Sequence, residues 1–201
     1  MTENNQDPDT NPESEMPASH RRQIEEGVRQ SLIKAGVPRP FHDRSLRDIE
    51  GGVPVADWII TEGKKVVRTG GGFTLYASGR KASDLMILSA RAYHINGVGS
   101  LLLDSVRLVK AITERDELLL ERIDTARALF VHRFYFADGR DDQPFTAYQR
   151  AAVESLLIER WNRGAACFLN FDKRHDSRGS PWWRPGFLDV MGSYNTTLAV
   201  A

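Results

Sequence analysis

Gly72-Phe73-Thr74-Leu75-Tyr76-Ala77-Ser78-Gly79-Arg80-Lys81-Ala82-Ser83-Asp84-Leu85 is the stretch on which the fold turns. Three glycines at 70–72 stop the helical pattern of 54–67, and the β-forming run 73–76 follows them. A polar turn spans 77–83. From Asp84 the period changes, and Leu85, Leu88 and Ala92 recur at helical spacing as far as Asn96. Strand, turn and helix make the first half of a βαβ unit. The alternation then continues: strand 98–103, helix 104–124 with a break near Thr113, strand 128–136, helix 146–162, strand 165–171. A polar Gly/Pro-rich loop covers 172–186, followed by a short helix at 187–191 and a strand at 196–200. About five strands separated by helices predict an α/β domain, with a mostly parallel sheet and helices on both faces.

Upstream, a helix over 20–34 places Ile24, Val28, Leu32 and Ile33 on one side, with Ser19 as its cap and Gly36 as its end. Gly36-Val-Pro-Arg-Pro-Phe41 is an extended connector, because each proline pushes its predecessor out of the α region. Residues 1–17 contain almost nothing apolar and are expected to be disordered. The chain therefore divides into an acidic tail (1–18), an N-terminal helix (19–35) and the α/β domain (36–201).

Composition narrows the function. Of 201 residues, 41% are apolar and 27% charged, a mixture able to bury one core. Cys167 is the single cysteine, which excludes a disulfide framework and a cysteine-rich zinc site. No apolar run reaches the roughly 18 residues a membrane span needs. The acidic N-terminus is unlike a secretory signal, so a cytoplasmic chain without membrane contact is expected. Net charge is zero but segregated. Glu3, Asp7, Asp9, Glu13 and Glu15 stand in 1–19 without a base, leaving 27 basic against 22 acidic residues in the remainder. A mildly basic body permits contact with nucleic acid without demanding it.

The turn after the first strand is where a parallel sheet would hold phosphate. A working phosphate loop reads G-x-x-x-x-G-K-[ST]: its glycines let backbone N–H groups wrap the phosphates, its lysine reaches them and its hydroxyl holds magnesium. Here Ser83 stands at the hydroxyl position, Ala82 replaces the lysine and Lys81 comes one position early. Ala77 replaces the first glycine, and the second is missing.

Taken in order, these segments resemble the DnaC/IstB-like helicase loaders and transposition ATPases. Gly36 to Leu46 resembles the family's G-I-P-x-R-F-x-x-x-S-F entry, and Gly72 to Leu85 its G-L-L-L-x-G-x-x-G-x-G-K-T-x-L stretch, one residue shorter. Residues 98–108 look like its second strand and helix, and Ala128-Leu-Phe-Val-His-Arg-Phe-Tyr135 like its Walker B strand. The stretches 146–149 and 163–169 are similar to the helix and sensor strand that follow. The resemblance runs over roughly 36–200 and implies a P-loop/AAA+-like three-layer sandwich. It also marks departures. His132 and Arg133 occupy the two acidic Walker B positions, and Asp172, with Asn170 nearby, occupies the sensor asparagine's place. The degenerate phosphate loop is Ala77, Ser78, Gly79, Arg80, Lys81, Ala82 and Ser83. A basic pair would not hold Mg²⁺. Arg133 could take the metal's electrostatic place or pair with an acid such as Asp84.

A second candidate is the basic, aromatic loop 173–184. Lys173, Arg174 and Arg178 suit phosphates, Trp182 and Trp183 suit base stacking, and Arg184 adds a further cation. Against this stands a loop whose tryptophans cover the sheet edge. His94, His132, His175 and Cys167 lack metal-ligand spacing. Asp138, Asp141 and Asp142 read as a solvated loop more readily than as a cation site, and no G-x-S-x-G elbow supports a serine triad.

The expectation is a catalytically degenerate helicase-loader relative, of phage or mobile-element kind, that binds a replicative helicase or another replication protein. Single-stranded DNA and self-association are compatible with it. No catalytic residue, metal or cofactor is expected, and ATP with Mg²⁺ is disfavoured. The alternatives are an active NTPase using Lys81 and Ser83, a transposition-type ATPase, and an adaptor or inhibitor of a homologous ATPase.

Overall fold

The computed structural model describes residues 17–77, 79–133, 146–172 and 183–200. The sequence expectations for 1–16, 134–145 and 173–182 lie outside the described residues. Five strands, β1 (Gly72–Ala77), β2 (Ser100–Asp104), β3 (Ala128–His132), β4 (Ala166–Asp172) and β5 (Asn195–Ala199), form one sheet in the order β2-β3-β4-β1-β5. Every pairing is parallel, as the alternation of strands and helices requires.

Both faces are covered, and successive residues of each strand point to opposite sides. Phe73, Leu75, Leu102, Phe130 and Phe168 pack beneath α2 (Gly52–Thr69) and α3 (Gly79–Ile95). Leu101, Leu103, Leu129, Val131 and Leu169 face the helices α4 (Ser105–Glu114), α5 (Glu117–Thr125), α6 (Ala147–Asn162) and α7 (Pro185–Tyr194). Two-sided burial is why the strands read as unbroken apolar runs instead of alternating ones. Phe130 stacks on Phe168 at 4.3 Å between centroids, and Phe73 meets Phe168 edge-on at 4.9 Å. Each such fully buried ring contributes roughly 2–3 kcal/mol.

Local sequence sets the boundaries. Asp104 caps α4 through the Val106 N–H, Asp116 caps α5 through the Leu119 N–H, and Thr146 with Gln149 forms a capping box on α6. The break expected near Thr113 falls at Arg115, which turns left-handed at φ +55°. The helix α1 (Ala18–Lys34) begins after Pro17, so Ser19 lies inside it and does not cap it. Leu32 and Ala35 join the core, whereas Ile24, Val28 and Ile33 remain 40–48% exposed.

Candidate functional site at the carboxyl edge of the sheet

Ala77, Asp104, His132 and Asp172 end β1 to β4 and define the edge where parallel sheets place ligands. The first junction departs from the pattern expected of it. The spacing predicts a turn over 77–83 and a helix from Asp84, but α3 already begins at Gly79, two positions after the end of β1. Ser78 lies outside the described residues. Arg80, Lys81 and Ala82 are good helix formers. Ala82 is fully buried and anchors this first turn on the core, and Arg80 pairs with Asp84 one turn along at 3.9 Å. Ser83 is therefore the fifth residue of α3 and not a group at its start. Lys81 reaches Glu50 at 3.2 Å.

At the end of β3, His132 stands opposite Asp104 in register. Arg133 follows with φ +57°, a conformation that turns its guanidinium back to 3.6 Å from Asp104 Oδ2. The Arg133 carbonyl accepts a hydrogen bond from Ser105 Oγ at 2.7 Å. Asp104 Oδ1 meanwhile accepts the Val106 N–H at 2.8 Å. Asp84 is thus taken by Arg80, and Asp104, not Asp84, is the acid that Arg133 meets. Burial pushes the His132 imidazole below its ordinary pKa, opposed by Asp104 and reinforced by Arg133. Its Nδ1 has no hydrogen-bond partner among the described residues. The acid at this edge comes from β2, and its sequence signal was a capping Asp directly before Ser105.

On β4, Asn170 pairs in register with Leu75 and is fully buried, two residues short of the edge. Asp172 aligns with Ala77 by backbone register. Cys167 is buried in the same strand, and burial pushes its thiol up, which fits an inert core residue. No cluster of three metal-ligating side chains occurs among the described residues.

Lys173, Arg174, Arg178 and Trp182 lie outside the described residues. Trp183 is 5% exposed and packs against Phe187 at 5.1 Å and edge-on to Phe171 at 6.4 Å, so it offers no ring face to a base. Arg184 precedes α7, where its Nε donates to Glu154 Oε2 and its backbone N–H to Glu154 Oε1 at 3.1 Å. Glu154 is fully buried, so Arg184, although its side chain is 54% exposed, is paired with a carboxylate and does not present a free cation. This partner was missed in the sequence, although a carboxylate between Val153 and Leu157 on the inner face of α6 is its signal. At the carboxyl edge, Arg80, Lys81 and Arg133 each have a carboxylate within 4.0 Å.

No family model matches the sequence, and no curated protein does. Solved structures match well. The DnaC helicase loader gives a TM-score of 0.64 at 12% identity, over 82% of this chain and 100% of that one. AMPPCP-bound DnaA from Aquifex aeolicus gives 0.63 at 9% identity, over 82% and 51%. The replication initiator DnaA bound to AMPPCP and single-stranded DNA gives 0.62 at 9%, over 82% and 50%. The chain spans about half the length of these DnaA structures. It has a DnaC/DnaA-like AAA+ fold.

Proposed function

We propose that this chain is a replication protein of the helicase-loader kind that works by binding and does not hydrolyse nucleotide. The observation that carries the reading is the early start of α3, whose first turn already holds Gly79 to Ala82. Wrapping phosphates with backbone N–H groups takes a glycine-rich loop of several residues, and here the helix occupies that place. The Walker B end supports the same conclusion. Arg133 lies over Asp104, and a monovalent cation about 4 Å from a divalent one repels it by roughly 2 kcal/mol even at the dielectric of water. Burial pushes the His132 pKa down, and an imidazole in either protonation state supplies no negative charge to a metal. The likeness to a helicase loader over all of that chain supports a replicative helicase, or another replication protein, as partner. Single-stranded DNA contact rests on Lys173, Arg174, Arg178 and Trp182.

Calorimetry with ATP and Mg²⁺ beside a turnover assay tests the catalytic half, and no heat and no hydrolysis are expected. Micromolar Mg²⁺-dependent binding, or hydrolysis lost in Lys81→Ala, would promote the active NTPase. Affinity capture with identification of the co-purifying proteins tests the binding half. A helicase is expected, and a homologous ATPase without helicase would make the chain an adaptor.

A further inference from the structure

The sheet's other edge carries a different arrangement of charge. Among the described residues β2 pairs with β3 alone, and its outer side is touched by the chain leaving α1, where the Leu102 N–H donates to the Ala35 carbonyl at 2.8 Å. Between the end of α1, this edge and α5 lies a recess of about 540 Å³, within the range of ligand-binding pockets. Lys34, Arg107 and Arg122 line it, with the hydroxyls of Ser31, Ser100 and Thr125, and no carboxylate does. Among the described residues none of the three cations has a carboxylate within 4.0 Å. The Arg122 guanidinium donates to the Lys34 carbonyl, which spreads it across the mouth. His94 lies at the back, between Ser31 and Ser100. The three hydroxyls are engaged within the protein, so the charge for a ligand comes from three unneutralised cations beside the outer strand, which fit an extended, anionic peptide.

We propose that the occupant is the acidic segment of this same chain, residues 1–16, folded back along α1. Charge and reach support it. The segment holds Glu3, Asp7, Asp9, Glu13 and Glu15 and no base, which complements a recess whose lining has Lys34, Arg107 and Arg122 and no carboxylate. The recess lies at the C-terminal end of the helix that the segment precedes. α1 has 17 residues and is about 25 Å long at ~1.5 Å per residue. An extended strand at ~3.3 Å per residue returns over that length in about eight residues. Glu13 and Glu15 then lie beside α1, and Glu3, Asp7 and Asp9 reach the recess. The segment is thereby an internal competitor for any anionic partner of this edge.

The experiment is paramagnetic broadening in the full chain. Asn5→Cys carries a nitroxide, and Cys167 is buried and does not react. Amides of Leu101, Leu102, Leu103 and Thr125 should lose at least twofold in intensity. They should recover in ~0.5 M salt, where screening lengths shrink to a few Å, and in Lys34→Glu/Arg107→Glu. Should that double variant fail to fold, Lys34→Gln/Arg107→Gln gives the same reading at half the charge change. Absence of broadening, or broadening that survives the charge changes, overturns the proposal. Broadening seen only when spin-labelled and isotope-labelled molecules are mixed assigns the segment to a second copy and overturns the return in cis. A groove that shifts with an added oligothymidylate while the tail causes no broadening overturns it in favour of nucleic acid.

Discussion

The carboxyl edge of the sheet and the outer edge of β2 both gather positive charge, but they treat it differently. At the carboxyl edge Arg80, Lys81 and Arg133 each face a carboxylate, Asp84, Glu50 and Asp104. At the β2 edge Lys34, Arg107 and Arg122 share a recess without one. The first edge is where this fold places ligands, yet its charges are already satisfied and its loop has become helix. The second lies away from that position and keeps its charge available. In a chain of this fold, ligand capacity is therefore better judged from which cations lack partners than from where a motif should be.

The largest test concerns Arg184, which belongs with the paired cations, although its place in a basic stretch suggests nucleic acid. Arg184→Ala leaves the fully buried Glu154 carboxylate without its guanidinium. Breaking a wholly buried pair from one side costs about 3 kcal/mol or more. With Arg184 54% exposed and its backbone N–H still on Glu154, about 2 kcal/mol is expected here. Urea denaturation should show that loss. A loss below about 1 kcal/mol would mean that Glu154 finds another partner and that Arg184 is free to act elsewhere.

Gly36 supports the other region. Its φ is +87°, and a Cβ there would lie 2.4 Å from the Leu102 carbonyl oxygen. Gly36→Ala should cost about 2 kcal/mol, from the left-handed backbone and the forced retreat of α1 from β2. Denaturation and amide exchange along β2 would measure it. A neutral substitution would show that the wall of the recess is soft and weaken its claim to a fixed shape.

These two residues also show what a sequence can and cannot disclose. The fold was legible because its signals are local and periodic: apolar strand runs at 73–76 and 165–171, helical spacing of Leu85, Leu88 and Ala92, and Gly36 after a helix. The strand expected over 128–136 is described over Ala128–His132. Pairings between distant residues were not. Arg133 with Asp104, Lys81 with Glu50 and Arg184 with Glu154 lie 29, 31 and 30 positions apart; the sheet order brings the first pair together and helix packing the other two. The α3 boundary failed for a further reason. Ser78-Gly79 looks like a turn, but the buried Ala82 extends the helix through tertiary packing. The recess has no motif at all, since its residues come from α1, α3, β2, α4 and α5.

Each region also holds one histidine shifted the same way. Burial lowers the pKa of His132 at the carboxyl edge and of His94 beside the recess. In the unfolded chain both titrate near the ordinary value of about 6.5. Below that pH the unfolded state binds protons that the folded state refuses, so stability is full at pH 7 and falls as pH drops towards the folded pKa values. Thermal unfolding across pH 7 to 5 should show the decline, with His132→Gln and His94→Gln each removing part of it. A stability that holds level over this range would mean that the imidazoles charge without penalty.

The smallest effect separates the two edges most directly. Arg133 is 61% exposed, so its pair with Asp104 is a surface pair worth at most about 1 kcal/mol. Asp104 keeps the Val106 N–H when the guanidinium is gone, which limits the damage further. Arg133→Ala should therefore lower stability by a few tenths to about 1 kcal/mol at low salt, and by less in ~0.5 M salt. Among the described residues Arg107 has no carboxylate within 4.0 Å. It shares its recess with Lys34 and Arg122, so removing it relieves repulsion between like charges. A tail lying over it through exposed ion pairs would return at most a few tenths. Arg107→Ala should then change stability by less than about 0.3 kcal/mol, in either direction and at any salt. Equal losses for the two variants would break the contrast, because they would show Arg107 held by a partner as Arg133 is. A measurable loss for Arg133 and none for Arg107 would leave the β2 edge as the place where this chain keeps uncommitted charge.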